Sequence, residues 1–320
     1  MTEPLLSVRD LCVDYVTPQG PVRAVDRVSF DLQPGEILGL AGESGSGKST
    51  LAQALLRILP PPAVIRGGEV RFEGRDLLAL DEPGLRRVRW SRISMVFQSA
   101  MDALNPVLKV GAQIVDTLQA HTDLGADRAR ERAAELLEQV GIPRARLDAY
   151  AHQLSGGQRQ RVGIALALAL EPELVILDEP TTALDVIVER EILQEIRQLQ
   201  RARRFAVLFI THDLTRMLQF SDRVAILYAG RLAEIGPAAV LGSAPRHPYT
   251  QGLLRAFPSL HDAPGVVRTS IPGAPPSLAS PPAGCRFAPR CAQAMPRCST
   301  SGPALVDIGP GHRVDCRLLD

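Results

Sequence analysis

An α/β fold organised around a glycine-rich loop is what this sequence predicts, and three observations predict it. A short apolar run, Glu36-Ile37-Leu38-Gly39-Leu40-Ala41, enters Gly42-Glu43-Ser44-Gly45-Ser46-Gly47-Lys48-Ser49-Thr50 and leaves it in a breaker-free helical pattern. A block of helical pattern at 107–150 is inserted between strands. A second apolar strand, Leu174-Val175-Ile176-Leu177, ends on Asp178 and Glu179, where open parallel sheets bind their ligands.

The loop fits G-x-x-x-x-G-K-[ST], with the strand before it and the helix after it that this motif requires. Its glycines let the backbone bend until several N–H groups converge on phosphate oxygens, and the new helix aims its positive end at the same anion. Lys48 is expected on the β- and γ-phosphates, and Ser49 on Mg²⁺. From average composition, four such fixed positions arise by accident in about one chain of this length in a hundred.

With 320 residues the chain has room for one large domain or two modest ones. A net charge of +1 gives no global attraction to nucleic acid or an anionic membrane, and 4% aromatic residues argue against base-stacking platforms. The most apolar run, 162–170, is half of what a membrane span needs. Met1-Thr2-Glu3-Pro4 begins no secretory signal, so the chain is expected in the cytosol, where paired disulfides are disfavoured.

In chain order, 5–15 and 22–32 alternate as strands around a turn at Thr17-Pro18-Gln19-Gly20. Tyr15 reads either as an edge-strand aromatic or as a face for adenine. Pro60-Pro61-Pro62 ends the first helix, and 69–73 is a strand before Gly74. A short helix is expected over 82–91 and a buried strand over 93–97, ending at Gln98. In the helical block, 128–140 is the clearest amphipathic piece, with Ala129, Ala133, Leu136, Leu137 and Val140 inward. Leu154-Ser155-Gly156-Gly157-Gln158 opens the next helix with Ser155 as its N-cap, a second anion site. Asp178 suits Mg²⁺, and Glu179 suits polarising a water. Thr182-Ala183-Leu184-Asp185 leads into a helix over 186–203, and the strand 205–210 ends at His212, expected at a γ-phosphate. Strands at 223–228 and 231–235 flank Ala229-Gly230 as a closing hairpin.

These motifs, in this order over about residues 5–245, resemble the ATP-binding subunit of an ABC transporter. The resemblance implies an ABC-type P-loop ATPase with a RecA-like mixed sheet core, an antiparallel β subdomain and an inserted helical subdomain at about 99–153. It supplies Tyr15 as the aromatic loop, Gln98 as the glutamine loop that touches Mg²⁺, 154–158 as the signature, and Asp185 as the D-loop. It also implies that Ser155, Gly156, Gly157, Gln158 and Asp185 act in trans on the nucleotide of a second ATPase subunit. Lys48, Gln98, Glu179 and His212 are the expected catalytic set, with Ser49, Gln98 and Asp178 on the metal.

Met95-Val96-Phe97-Gln98, Ala103-Leu104-Asn105-Pro106, His247-Pro248-Tyr249-Thr250 and Pro272-Gly273-Ala274-Pro275-Pro276 are similar to the oligopeptide/dipeptide importers, in their D-type form. Two positions depart from that pattern: Ser99-Ala100 after the glutamine, and Ala151 before His152. The family likeness places 246–320 as a Cys-rich C-terminal extension. It implies ATP, Mg²⁺, two membrane permeases, a second ATPase (an F-type paralogue or a second copy), an extracytoplasmic peptide-binding protein, and no nucleic acid. The seat would be the cytoplasmic face of the inner membrane. Importers of nickel, glutathione or another small solute are the alternative, and a soluble non-transport ABC ATPase a third reading. Cys285, Cys291, Cys298 and Cys316 match the same subfamily, which implies a [4Fe–4S] cluster. Their chemistry also admits zinc or unmetallated thiols.

Overall fold

The computed structural model describes residues 3–98, 103–182, 184–256 and 270–319, so the expectations at Ser99, Ala100 and Ala183 lie outside the described residues. The chain forms two compact units: Met1–Ala79 with Phe209–Asp320, and Leu80–Leu208.

The N-terminal part of the first unit runs β1 (Leu6–Thr17), β2 (Gly20–Leu32), β3 (Ile37–Ala41), α1 (Lys48–Leu55), β4 (Ala63–Phe72) and β5 (Arg75–Asp76). Four of these strands form an antiparallel sheet in the order β2-β1-β4-β5. The alternation in the sequence becomes one buried face: Leu6, Val8, Leu11, Val13, Val25, Val28, Phe30 and Leu32 are at most 1% exposed. β4 begins six residues earlier than its alternation suggests. Gly67 and Gly68 hide the strand in the sequence, yet they lie against β1, where a Cβ on Gly68 would sit 2.5 Å from Leu11 Cα. α1 stops before the prolines because Arg57 turns left-handed (φ 51°) and Ile58 N–H donates back to Gln53 O at 3.1 Å.

The second unit contains α2 (Glu82–Arg86), β6 (Ile93–Val96), α3 (Val110–His121), α4 (Ala126–Gln139), α5 (Gly156–Ala167), β7 (Leu174–Asp178) and α6 (Val186–Arg203). α2 is shorter than its pattern suggested, since the chain turns back through Trp90 (φ 71°), whose indole N–H donates to Leu166 O at 3.1 Å. β6 and β7 are buried throughout and pair in parallel, Ile93 opposite Leu174. The inward positions expected in α4 are all buried. Ala151 is buried in a 3₁₀ turn, Ala151–Gln153. β8 (Ala206–Ile210) runs from the second unit back into the first.

The remainder of the first unit is α7 (Leu214–Phe220), β9 (Arg223–Tyr228), β10 (Arg231–Pro237), α8 (Ala238–Ser243), α9 (Pro248–Ala256), α10 (Pro296–Thr300), β11 (Val306–Gly309) and β12 (His312–Val314). β9 is parallel to β3 and antiparallel to β10, as the hairpin at Ala229-Gly230 requires. The short β11–β12 hairpin pairs with β10, an addition that no alternation in the tail announces.

Protein-made packing, beyond anything thiols would supply, holds this C-terminal part. Phe287 sits among the rings of Tyr228, Tyr249 and His247, with centroids 5.2, 5.4 and 5.9 Å away. The wholly buried Glu234 accepts from Arg246 N–H at 2.8 Å, His247 N–H at 3.0 Å and His312 Nε2 at 2.8 Å. Burial pushes His247 down to about 4, so its ring is neutral near pH 7 and Nδ1 accepts from Tyr249 N–H at 3.0 Å.

Candidate functional site

The candidate residues fall into two sets, one in each unit. In the first unit β3 delivers the chain into the loop, and α1 begins at Lys48. Gly42 (φ 153°) and Gly47 (φ 101°) admit no side chain: a Cβ would lie 2.2 Å from Leu227 O or 2.4 Å from Ala24 O. Lys48 is buried and folds back over the loop, its Nζ donating to Gly42 O at 2.8 Å and Glu43 O at 3.0 Å. Within the loop, Ser46 N–H donates to Glu43 O at 3.1 Å, and Gly230 N–H donates to Ser46 O at 2.9 Å. Ser46 Oγ is buried, with no hydrogen-bond partner among the described residues. Tyr15 and Thr50 share a hydroxyl hydrogen bond of 3.1 Å, which brings the aromatic residue to the loop and to Ser49 beside it. His212 is exposed at the turn after β8, where Asp213 caps α7 by accepting from Arg216 N–H.

In the second unit β7 ends on the buried Asp178, and Glu179 follows at φ 47°, a left-handed backbone uncommon for a carboxylate residue. Two donors hold its carboxylate: Gln98 Nε2 and Thr182 Oγ1 reach Glu179 Oε2 at 3.1 and 2.9 Å. The parallel pairing of β6 and β7 explains the meeting, because Gln98 and Glu179 leave neighbouring strands at the same end. Ser155 caps α5 in a reciprocal box, with Ser155 Oγ accepting from Gln158 N–H at 3.2 Å and Gln158 Oε1 from Ser155 N–H at 3.1 Å. Gly156 and Gly157 form the first turn, and a Cβ on Gly157 would strike Val188 Cγ1 at 2.7 Å. Asp185 is exposed and caps α6 through Ile187 and Val188 N–H.

Sequence reasoning missed two residues that touch the loop. Glu43 N–H donates to Tyr249 Oη at 2.9 Å, and the Glu43 carboxylate receives Arg290 Nη1 and Nη2 at 2.7 and 3.0 Å. They lie 206 and 247 residues from Glu43 in the chain, so no local spacing points to them.

The four C-terminal cysteines are free thiols. They share one region, where Cys285 N–H donates to Cys298 O at 2.7 Å, and a thiolate on any of the other three would push Cys316 up further. Burial pushes Cys285 and Cys291 up and Cys316 up to about 11, so these three thiols are protonated near pH 7. Among the described residues, no group of three or more His, Cys, Asp or Glu closes around a metal-sized point. The cysteines as arranged do not form a finished cage. No described helix is long and apolar enough to cross a membrane.

A family model for ABC transporters matches residues 25–182, and a model for the oligopeptide/dipeptide transporter C-terminal region matches 233–298. The chain is 44% identical to the oligopeptide transport ATP-binding protein OppD of Bacillus subtilis, covering 98% of this chain and 89% of that one. It is 45% identical to the dipeptide transport ATP-binding protein DppD of the same organism, covering 99% and 96%. Among solved structures, a dimeric post-hydrolysis state of the ATP-binding cassette MJ0796 bound to ADP and Pi superposes with a TM-score of 0.66. It is 28% identical and covers 73% of this chain and 98% of that one.

Proposed function

The chain belongs to the ABC transporter ATP-binding proteins, in the branch with the oligopeptide/dipeptide C-terminal region, and on that premise we propose that it hydrolyses ATP to power uptake of di- or oligopeptides. The observation that carries this reading is near full-length likeness to peptide-import ATP-binding proteins, C-terminal region included. Nickel, glutathione or another small solute is the second reading, since cargo choice rests largely with subunits other than this one.

We place the nucleotide-binding domain at 1–245 and the extension at 246–320. The loop Gly42-Glu43-Ser44-Gly45-Ser46-Gly47-Lys48-Ser49-Thr50 would cradle the phosphates while Lys48 leaves Gly42 O and Glu43 O for the β- and γ-phosphate oxygens. Tyr15 would offer its ring to adenine. Ser49, Asp178 and Gln98 present the hard oxygen donors that suit Mg²⁺, which would neutralise charge on the β- and γ-phosphates. Glu179, oriented by Gln98 and Thr182, would take the proton of the attacking water, and His212 would sense the γ-phosphate.

One chain carries one set of motifs. Its signature, Ser155, Gly156, Gly157 and Gln158, together with Asp185, would serve the nucleotide of a second ATPase subunit, an F-type paralogue or a second copy. ATP would then hold two subunits closed, and hydrolysis would release them. The stroke would pass to two membrane permeases from the cytoplasmic face of the inner membrane, with peptide arriving from an extracytoplasmic binding protein. The experiment is isolation of the chain from its native membranes. Recovery with two hydrophobic subunits is expected, and recovery only as a soluble protein without them would overturn the transport reading.

For Cys285, Cys291, Cys298 and Cys316 the proposed ligand is a [4Fe–4S] cluster, with zinc as the alternative, since a four-thiolate set suits either. Anaerobically purified protein is expected to contain about four iron and four sulfide per chain. Zinc alone would assign the other metal, and neither would leave the thiols unmetallated.

A further inference from the structure

The proposed nucleotide loop contains a carboxylate, Glu43, at the second position of a stretch built to attract anions. Left alone, that charge opposes the triphosphate it sits beside. The C-terminal extension answers it. Arg290 meets the carboxylate with two N–H groups at 2.7 and 3.0 Å, in a fork-to-fork geometry that is among the stronger charge-assisted pairings. The Arg290 side chain is only 6% exposed and that of Glu43 23% exposed, so solvent screens the pair weakly. The guanidinium is itself fixed, donating to Pro272 O at 2.8 Å and Tyr228 Oη at 3.3 Å.

The backbone of the same residue is held as well. Glu43 N–H donates to Tyr249 Oη at 2.9 Å, from a tyrosine that is wholly buried among Tyr228, Phe287 and His247. The far side of the loop has a parallel support. Gly230 N–H donates to Ser46 O at 2.9 Å, and the Ala229 carbonyl beside it accepts from Arg286, whose guanidinium also reaches Asp26 at 2.6 Å. Arg286 follows Cys285 and Arg290 precedes Cys291, so one short cysteine-flanked segment meets Glu43 directly and holds the Ala229-Gly230 turn that donates to Ser46.

We propose that Arg290 and Tyr249 are positioning residues of the nucleotide site: Arg290 neutralises Glu43, Tyr249 fixes its backbone, and the C-terminal extension thereby sets the affinity for MgATP. The proposal rests on the reading of residues 42–50 as the ATP loop. It adds a specific dependence of that loop on a segment with no nucleotide-binding motif of its own.

The test is equilibrium MgATP binding and steady-state hydrolysis on the full chain. Arg290→Ala is expected to weaken binding and raise KM about tenfold, within the usual range of intersite coupling, while kcat changes less than about twofold. Tyr249→Phe, which keeps the ring, is expected to weaken binding about threefold. Because the arginine cancels a charge, Arg290→Ala combined with Glu43→Gln is expected to bind within about threefold of Glu43→Gln alone. Arg290→Lys should recover part of the loss, since one ammonium replaces the fork.

Unchanged affinity in Arg290→Ala and Tyr249→Phe overturns the proposal. So does an Arg290→Ala loss that is the same in both Glu43 backgrounds, which assigns the residue to general stability. If Arg290→Ala does not fold, Arg290→Lys and Tyr249→Phe decide by the same affinity criterion. A wild-type chain that binds no MgATP would sink the reading of the loop itself, an outcome distinct from wild-type binding with unaffected variants.

Discussion

Glu179→Gln is expected to keep MgATP binding and to lower hydrolysis by roughly 10²–10⁴-fold, the usual weight of a general base. The amide has the size of the carboxylate it replaces and remains within reach of Gln98 Nε2 and Thr182 Oγ1, which donate at 3.1 and 2.9 Å in the native chain. What it lacks is the capacity to accept a proton from water. The strand that delivers it, Leu174–Asp178, is buried along its whole length, so the local fold should be unmoved. ATP-bound enzyme should accumulate, visible as retained nucleotide after gel filtration. Turnover near the wild-type rate would remove Glu179 from the role.

Lys48→Ala is expected to weaken MgATP binding by about 10²-fold or more. The Lys48 ammonium donates to two backbone carbonyls of the loop, Gly42 O at 2.8 Å and Glu43 O at 3.0 Å. On the proposed reading it exchanges these for phosphate oxygens, and two hydrogen bonds to charged groups at about 1.5–3 kcal/mol each account for the loss. The substitution removes the ammonium from Gly42 O and Glu43 O, while Ser46 N–H still donates to Glu43 O and Tyr249 and Arg290 still hold that residue, so the loop should keep its course. Titration with a fluorescent ATP analogue measures the effect. Wild-type affinity in Lys48→Ala would place the phosphates elsewhere.

The legible parts of this chain are those whose logic is local. Strand, glycine loop and helix succeed one another within residues 37–55, and Gly42 and Gly47 occupy positions where any Cβ would strike backbone. The Ser155 cap sits where its residue type placed it, and the helix expected after Asp185 begins at Val186 with Asp185 as its cap. The Gln98–Glu179 bond was not read directly, yet it follows once β6 and β7 pair in parallel.

What escaped the sequence depends on contacts between distant segments. β4 carries two glycines where a strand signal would want β-branched residues, and it becomes a strand by lying on β1. β12 is three residues long and exists because β10 offers it an edge. Arg290 looks like a charge beside a cysteine until the fold brings Glu43 to it across 247 residues. In the sequence the tail stands out for its cysteines, whereas its packing rests on Phe287, Tyr249 and Glu234, which separate stretches of the chain bring together.

On the proposed function, ATP hydrolysis by this chain drives peptide across a membrane. The most direct test is uptake of a labelled peptide into proteoliposomes holding this chain, the second ATPase and both permeases, supplied with the peptide-binding protein. Accumulation is expected to require MgATP and to be abolished by Glu179→Gln. ATP hydrolysis without peptide accumulation, or accumulation undiminished by Glu179→Gln, would contradict that function.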